Sequence, residues 1–121
     1  MKIAICGTRT FNKLETVDLI TALWPLVKLR WPAVDMIVSG GADGVDAAAD
    51  HVAANLTGRY ALVVKAEWDK HGKKAGPLRN EKLSEIADCL LLIWDDQSPG
   101  STDVLRRFMK KRKPVMEVEI G

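Results

Sequence analysis

An open parallel α/β sheet of about five strands, in three layers with helices on both faces, is predicted by three observations. Short apolar runs alternate with helix-like patterns along the whole chain. One run, Leu90-Leu91-Leu92-Ile93, is continuously apolar, as a strand covered on both faces requires. Met36-Ile37-Val38 stops in Ser39-Gly40-Gly41-Ala42-Asp43-Gly44-Val45-Asp46 before Ala47-Ala48-Ala49, the pattern of a strand, a tight turn and a helix. Such alternation implies right-handed crossovers between parallel strands. Ligands of these sheets sit at the strands' C-terminal ends, near the switch in strand order.

Strands are expected at 2–6, 35–39, 60–65, 88–94 and 114–118. The first helix starts from Asn12 as N-cap with Glu15 three residues on, close to a capping box. Its buried face reads Leu14, Val17, Ile20, Leu23, Trp24 and Val27, and Pro25 should kink or split it. The second runs from about Val45 to Leu56 and stops at Gly58. A third begins near Pro77, a favoured first helical residue, and buries Leu83, Ile86 and Ala87. A fourth begins near Ser101 or Thr102 and buries Leu105, Phe108 and Met109. Its end, Lys110-Lys111-Arg112-Lys113 before Pro114, could contact nucleic acid, but complementing the helix's negative pole is the favoured reading.

The 121 residues, 47% hydrophobic and 28% charged, describe one compact domain (1–121) without repeats, low-complexity stretches or a linker. A net charge of +2 argues against nucleic acid and membranes as partners; any positive field must be local. The opening Met1-Lys2-Ile3-Ala4-Ile5 is too short an apolar run for a signal peptide, so a cytoplasmic location is expected. Cys6 and Cys89 lie at opposite ends of their strands, too far apart to bridge at about 3.3 Å per residue. They read as buried, reduced thiols. His51 and His71 share no metal-ligand spacing with either cysteine, and no metal or cofactor is expected.

Four loops leave the presumed ligand end. The first, Gly7-Thr8-Arg9-Thr10-Phe11, offers a turn, two hydroxyls and a guanidinium that can fork onto phosphate. In the second, Gly40 and Gly41 remove side chains and permit positive φ, so successive N–H groups can face one anion. The run matches neither G-x-G-x-x-G nor G-x-x-x-x-G-K-[ST], and a plain tight turn is an equal reading. Asp46 either caps its own helix or accepts ribose hydroxyls. The third loop spans 67–80 and is long, basic and glycine-punctuated. Within it Lys73, Lys74 and Arg79 could converge on phosphate, and Trp68 either stacks on a base or packs under the loop. The fourth carries Ser98-Pro99-Gly100-Ser101-Thr102-Asp103, a donor-rich helix start. Asp103 is a base, a holder of sugar hydroxyls or a partner of the helix dipole.

These pieces occur together in one family. Gly7-Thr8-Arg9-Thr10-Phe11, the Gly40-to-Asp46 run, Trp68 with Gly76-Pro77-Leu78-Arg79-Asn80, and Ser98-Pro99-Gly100-Ser101 with Asp103 resemble the small bacterial and phage proteins of the YspA-like branch of the SLOG superfamily. That superfamily also holds the cytokinin-activating LOG proteins and the DNA-processing protein DprA. The resemblance covers nearly the whole chain and implies a Rossmann-like fold. It also implies a ligand that is a phosphorylated nucleoside derivative, such as a nucleotide or an NAD- or ADP-ribose-type molecule. Phosphate would be cradled by Gly40, Gly41 and Gly44 with Gly100 and Ser101, and neutralised by Arg9 and Arg79. Gly7, Thr8, Asp46, Trp68, Lys74, Asn80 and Ser98 complete the implied set.

LOG relatives cleave an N-glycosidic bond with an arginine and a glutamate, for which Arg79 and the shorter Asp103 are the nearest matches. A nucleoside-monophosphate phosphoribohydrolase is therefore the first alternative, and a DprA-like nucleic-acid module the second. Family habit implies a homodimer through helix faces, with Trp24 or Trp31 as candidates.

Overall fold

A computed structural model describes residues 1–120. Its strands β1 (Lys2–Gly7), β2 (Met36–Ser39), β3 (Leu62–Val63), β4 (Cys89–Trp94) and β5 (Val115–Glu119) form one parallel sheet in the order β3-β2-β1-β4-β5. The helices are α1 (Lys13–Arg30), α2 (Val45–Thr57), α3 (Trp68–His71), α4 (Ala75–Ile86) and α5 (Pro99–Lys110), with a 3₁₀ turn at Gly72–Lys74. This is the expected three-layer, Rossmann-like α/β fold. Strand order reverses at β1, which β2 flanks on one side and β4 on the other. The switch point therefore lies between β1 and β4.

Alternation along the central strands divides the core. Ile3, Ile5, Ile37, Leu91 and Ile93 pack against α1 and α2, whereas Ala4, Cys6, Val38, Leu90 and Leu92 meet Leu83 of α4 and Val104 and Phe108 of α5. In the β1–β4 register Cys89 stands opposite Ile3 and Cys6 opposite Leu92. Both thiols are buried and free.

Several boundaries and faces differ from expectation. Asn12 Oδ1 caps α1 by accepting the Glu15 N–H at 3.0 Å, as predicted, but Pro25 sits inside one continuous helix. Leu14 is 68% exposed, and Thr16 takes its place in the buried face, its hydroxyl donating to the Asn12 carbonyl at 2.7 Å. Trp24 and Trp31 are core residues, so neither is available to a dimer interface. β3 keeps two of six expected residues because it is an edge strand paired only with Val38 and Ser39. The 67–80 segment is not an open loop: α3, the 3₁₀ turn and α4 follow one another without a break, and Pro77 sits in the first turn of α4, where an N–H is not needed. α5 starts at Pro99, earlier than predicted, with Ser98 as N-cap. Ile86 and Met109 are exposed. The basic end of α5 serves its neighbour: Lys113 Nζ donates to the carbonyls of Ser84 (2.6 Å) and Ala87 (2.8 Å) at the end of α4, and Lys111 pairs with Glu81.

Candidate functional site: a two-lobed cleft at the switch point

The C-terminal end of β1 opens between the starts of α4 and α5 into a cleft of about 430 Å³. Cys6, Leu83 and Val104 give it an apolar floor. Gly7, Arg9, Asp46, Trp68, Arg79, Asn80, Ser98, Gly100, Ser101 and Asp103 all line it. Past Arg9, Ala42, Trp68 and Arg79, which border both hollows, lies a smaller lobe of about 280 Å³ bounded by Gly40, Gly41, Asp43, Lys65 and Ala66. Topology thus gathers four separate strand ends at one place.

Thr8, Gly44 and Lys74 line neither lobe. The Thr8 hydroxyl is buried, donating to Asp95 Oδ1 at 3.3 Å and accepting the Asp95 N–H at 3.2 Å, so it ties the first loop to the fourth. Gly44 packs on that same loop: a Cβ there would stand 2.4 Å from the Thr8 carbonyl oxygen. Lys74 is exposed in the 3₁₀ turn.

The paired glycines have a different role from a bare anion nest. One N–H of their turn is already engaged by an internal carboxylate, since Ala42 N–H donates to Asp46 Oδ2 at 3.3 Å. A Cβ on Gly40 would stand 2.5 Å from Arg79 Nη1 and 2.7 Å from Asp46 Oδ2. One on Gly41, whose φ is +72°, would stand 2.9 Å from Val63 and 3.2 Å from Lys65 Cγ. The missing side chains make room for Arg79 and Lys65 to lie across the turn. Asp46 therefore does not cap α2 with its side chain: its Oδ2 holds the turn while the residue lines the larger lobe. Burial pushes its carboxyl up to about 6, against the downward pull of the Arg79 charge and the Ala42 N–H. The same burial, aided by Asp46, raises the Cys6 thiol well above its ordinary value and keeps it protonated.

Arg79 and Asn80 clamp the cleft. Arg79 Nη1 donates to the Gly40 carbonyl at 2.6 Å and its Nε to Asn80 Oδ1 at 2.8 Å. Asn80 Nδ2 in turn donates to Asp103 Oδ2 at 2.9 Å and to the Gly100 carbonyl at 3.4 Å. Asp103 Oδ2 also accepts Arg107 Nε at 3.0 Å, an i,i+4 ion pair on α5. Both residues matched to hydrolytic roles thus line the cleft, Arg79 with Nε and Nη1 and Asp103 with Oδ2 bonded inside the protein.

The start of α5 is different. Ser98 Oγ accepts the Ser101 N–H at 3.5 Å, a weak cap. Ser101, 3% exposed, has a buried Oγ with no hydrogen-bond partner among the described residues. Lys65 escaped sequence reasoning, although it closes the run expected as the third strand and so stands at a strand's C-terminal end, where ligands bind. Among the described residues, no group of three His, Cys, Asp or Glu side chains could hold a metal ion, and no helix is long and apolar enough to cross a membrane.

No protein-family model matches the chain. In fold it is similar to DNA processing protein A of Helicobacter pylori, described for its unique single-stranded DNA binding mode, with a TM-score of 0.69 and 21% identity over 100% of this chain. It is also similar to DprA of Streptococcus pneumoniae, with a TM-score of 0.73 and 21% identity over 99% of this chain. The chain spans 66% and 50% of those two proteins, and likeness at that identity is a likeness of fold. The Gene 61 protein of Mycobacterium phage D29 is 36% identical over 123 residues, covering 95% of this chain and 94% of the phage protein. The chain belongs to the family of that phage protein.

Proposed function

We propose that the strand-end cleft holds a phosphorylated nucleoside unit, and that a single strand of DNA is favoured over a free nucleotide as the carrier of that unit. On this reading residues 1–121 are one binding domain of SLOG type. The observation that carries it is Ser101: a buried, unpartnered hydroxyl in the first turn of α5, at the positive end of the helix, is completed by a phosphate oxygen. Arg9, which forms no ion pair among the described residues, borders both lobes and can add its fork.

The single-strand form draws support from the Helicobacter pylori neighbour, described for binding single-stranded DNA, over which the whole chain superposes. Trp68, 51% exposed along both lobes, adds a stacking platform beside cations, the pairing such binders use. The expectation against nucleic acid rested on a net charge of +2, which does not report the local convergence of Arg9, Lys65 and Arg79. A free nucleotide remains the second reading because the larger lobe has an apolar floor and a volume in the range of small-molecule sites.

Binding of fluorescent twelve-nucleotide oligo(dT) and oligo(dA), followed by anisotropy, tests the first form. Thermal shift with AMP, ADP-ribose and NAD tests the second, and chromatography of the same samples would reveal any released base. With three cations engaged, log affinity should fall against log salt with a slope of about −2, and Arg9→Ala should reduce that slope by about 0.7. Ser101→Ala should weaken binding by about 0.5–1.5 kcal/mol without lowering the melting temperature, because its hydroxyl has no internal bond to lose. Failure of every oligonucleotide and nucleotide to bind would sink the reading. Release of free base would shift it to the hydrolase.

A further inference from the structure

The smaller lobe differs in chemistry from the larger one. Its only carboxylate-bearing residue is Asp43, set against the three cations Arg9, Lys65 and Arg79. Among the described residues, none of the three has a carboxylate within 4 Å, and Arg79 spends its bonds on neutral oxygens. The larger lobe instead carries Asp46 and Asp103 and the apolar floor. The backbone is shaped for this arrangement: Gly40 leaves room for Arg79 and Gly41 for the stem of Lys65, so both glycines seat cations at the rim of the smaller lobe. Burial pushes the Asp50 carboxyl up against the downward pull of the Lys65 charge, and Asp50 accepts the Ser39 hydroxyl.

We infer that the smaller lobe is a second phosphate subsite, with Lys65 as its distinguishing residue, so that the cleft takes a ligand bearing two phosphates. This rests on the nucleoside-phosphate reading of the larger lobe. The larger lobe, with α5 and Ser101, holds one phosphate and its nucleoside. The smaller lobe holds another beyond Trp68. The chemistry is the same whether the second phosphate is the next one along a DNA strand or belongs to a nucleoside diphosphate.

Calorimetry with three classes of probe separates these cases: the mononucleotides dTMP and dAMP, the 5′-phosphorylated dinucleotides pTpT and pApA, and the diphosphates dTDP and dADP. A second charge-assisted contact should make the two-phosphate ligand about tenfold tighter than the mononucleotide. Lys65→Ala and Lys65→Gln should both collapse that ratio toward one, and the glutamine variant keeps most of the stem over Gly41. A gain for the dinucleotides identifies the strand as the source, and a gain for the diphosphates identifies the nucleotide. Equal affinities for all three classes of probe, or a gain that survives both substitutions, would overturn the second subsite. Mononucleotide binding without a gain refutes this inference alone, whereas no binding by any probe refutes the reading of the larger lobe as well.

Discussion

Gly7→Ala should cost more than about 3 kcal/mol of stability, beyond the usual range for an overpacked core position. A Cβ on Gly7 would stand 1.8 Å from the Ile93 carbonyl oxygen and 2.8 Å from Val45 Cγ2. Neither obstacle can yield cheaply. Gly7 pairs with Ile93 in the β1–β4 register, and the Ile93 carbonyl accepts the Thr8 N–H at 3.2 Å, so moving it parts the two central strands. Val45 opens α2 and is fully buried. A domain of this size has about 5–15 kcal/mol in total, so the loss should appear as a large drop in the denaturation midpoint. Gly100→Ala is the control: a Cβ there meets nothing within 4 Å, and the change should stay within about 1 kcal/mol. Equal midpoints for wild type and Gly7→Ala would show that Gly7 is free for a ligand role rather than fixed by packing.

What the sequence made legible was the placement of chemistry; what it hid was each residue's local partner. Continuous apolar runs and glycine stops located β1, β2 and β4 within a residue or two, because strands buried on both faces leave a plain pattern. Faces of the helices were less visible. Leu14, Ile86 and Met109 lie at helical spacings that suit a core, yet all three are exposed, because spacing alone does not say where a buried face ends. The 67–80 segment read as a loop because lysines and glycines suppress any periodic signal, whereas packing of Trp68 against Gly76 lets three short helical pieces succeed one another. Most of the anticipated site residues do meet at one cleft, since strand order alone brings those loops together. The roles shifted for a reason no motif displays. Glycines that suggested a ligand's phosphate are required by Ile93, Thr8, Arg79 and Lys65, and the turn's anion is the protein's own Asp46.

Asp46→Asn should stabilise the protein by about 3 kcal/mol at pH 8, and the advantage should vanish below about pH 4. The carboxyl ordinarily titrates at 3.8 and is raised to about 6 in the fold, chiefly by burial. As pH rises from 4 to 6 the unfolded chain gives up this proton before the folded one does, so the native state binds more protons and stability falls. Above pH 6 both states are ionised and the full cost is present. A rise of that size corresponds to about 3 kcal/mol at 1.36 kcal/mol per pH unit. Asparagine keeps an acceptor for the Ala42 N–H and the shape of the side chain without the charge, so its stability should lack this component. Subtracting the two denaturation profiles removes the opposing contribution of half-buried, hydrogen-bonded carboxylates such as Glu81 and Asp95, whose values are lowered. A buried carboxylate that costs stability beside Arg79 points to a use in the cleft. A phosphate arriving near it adds like charge and favours its protonated form, so wild-type binding should take up a proton and weaken as pH rises through 6. The asparagine variant should lose that dependence. If Asp46→Asn is instead less stable than wild type at pH 8, attraction to Arg79 outweighs burial, and the carboxylate is a strut of the turn rather than a charge held ready for the ligand.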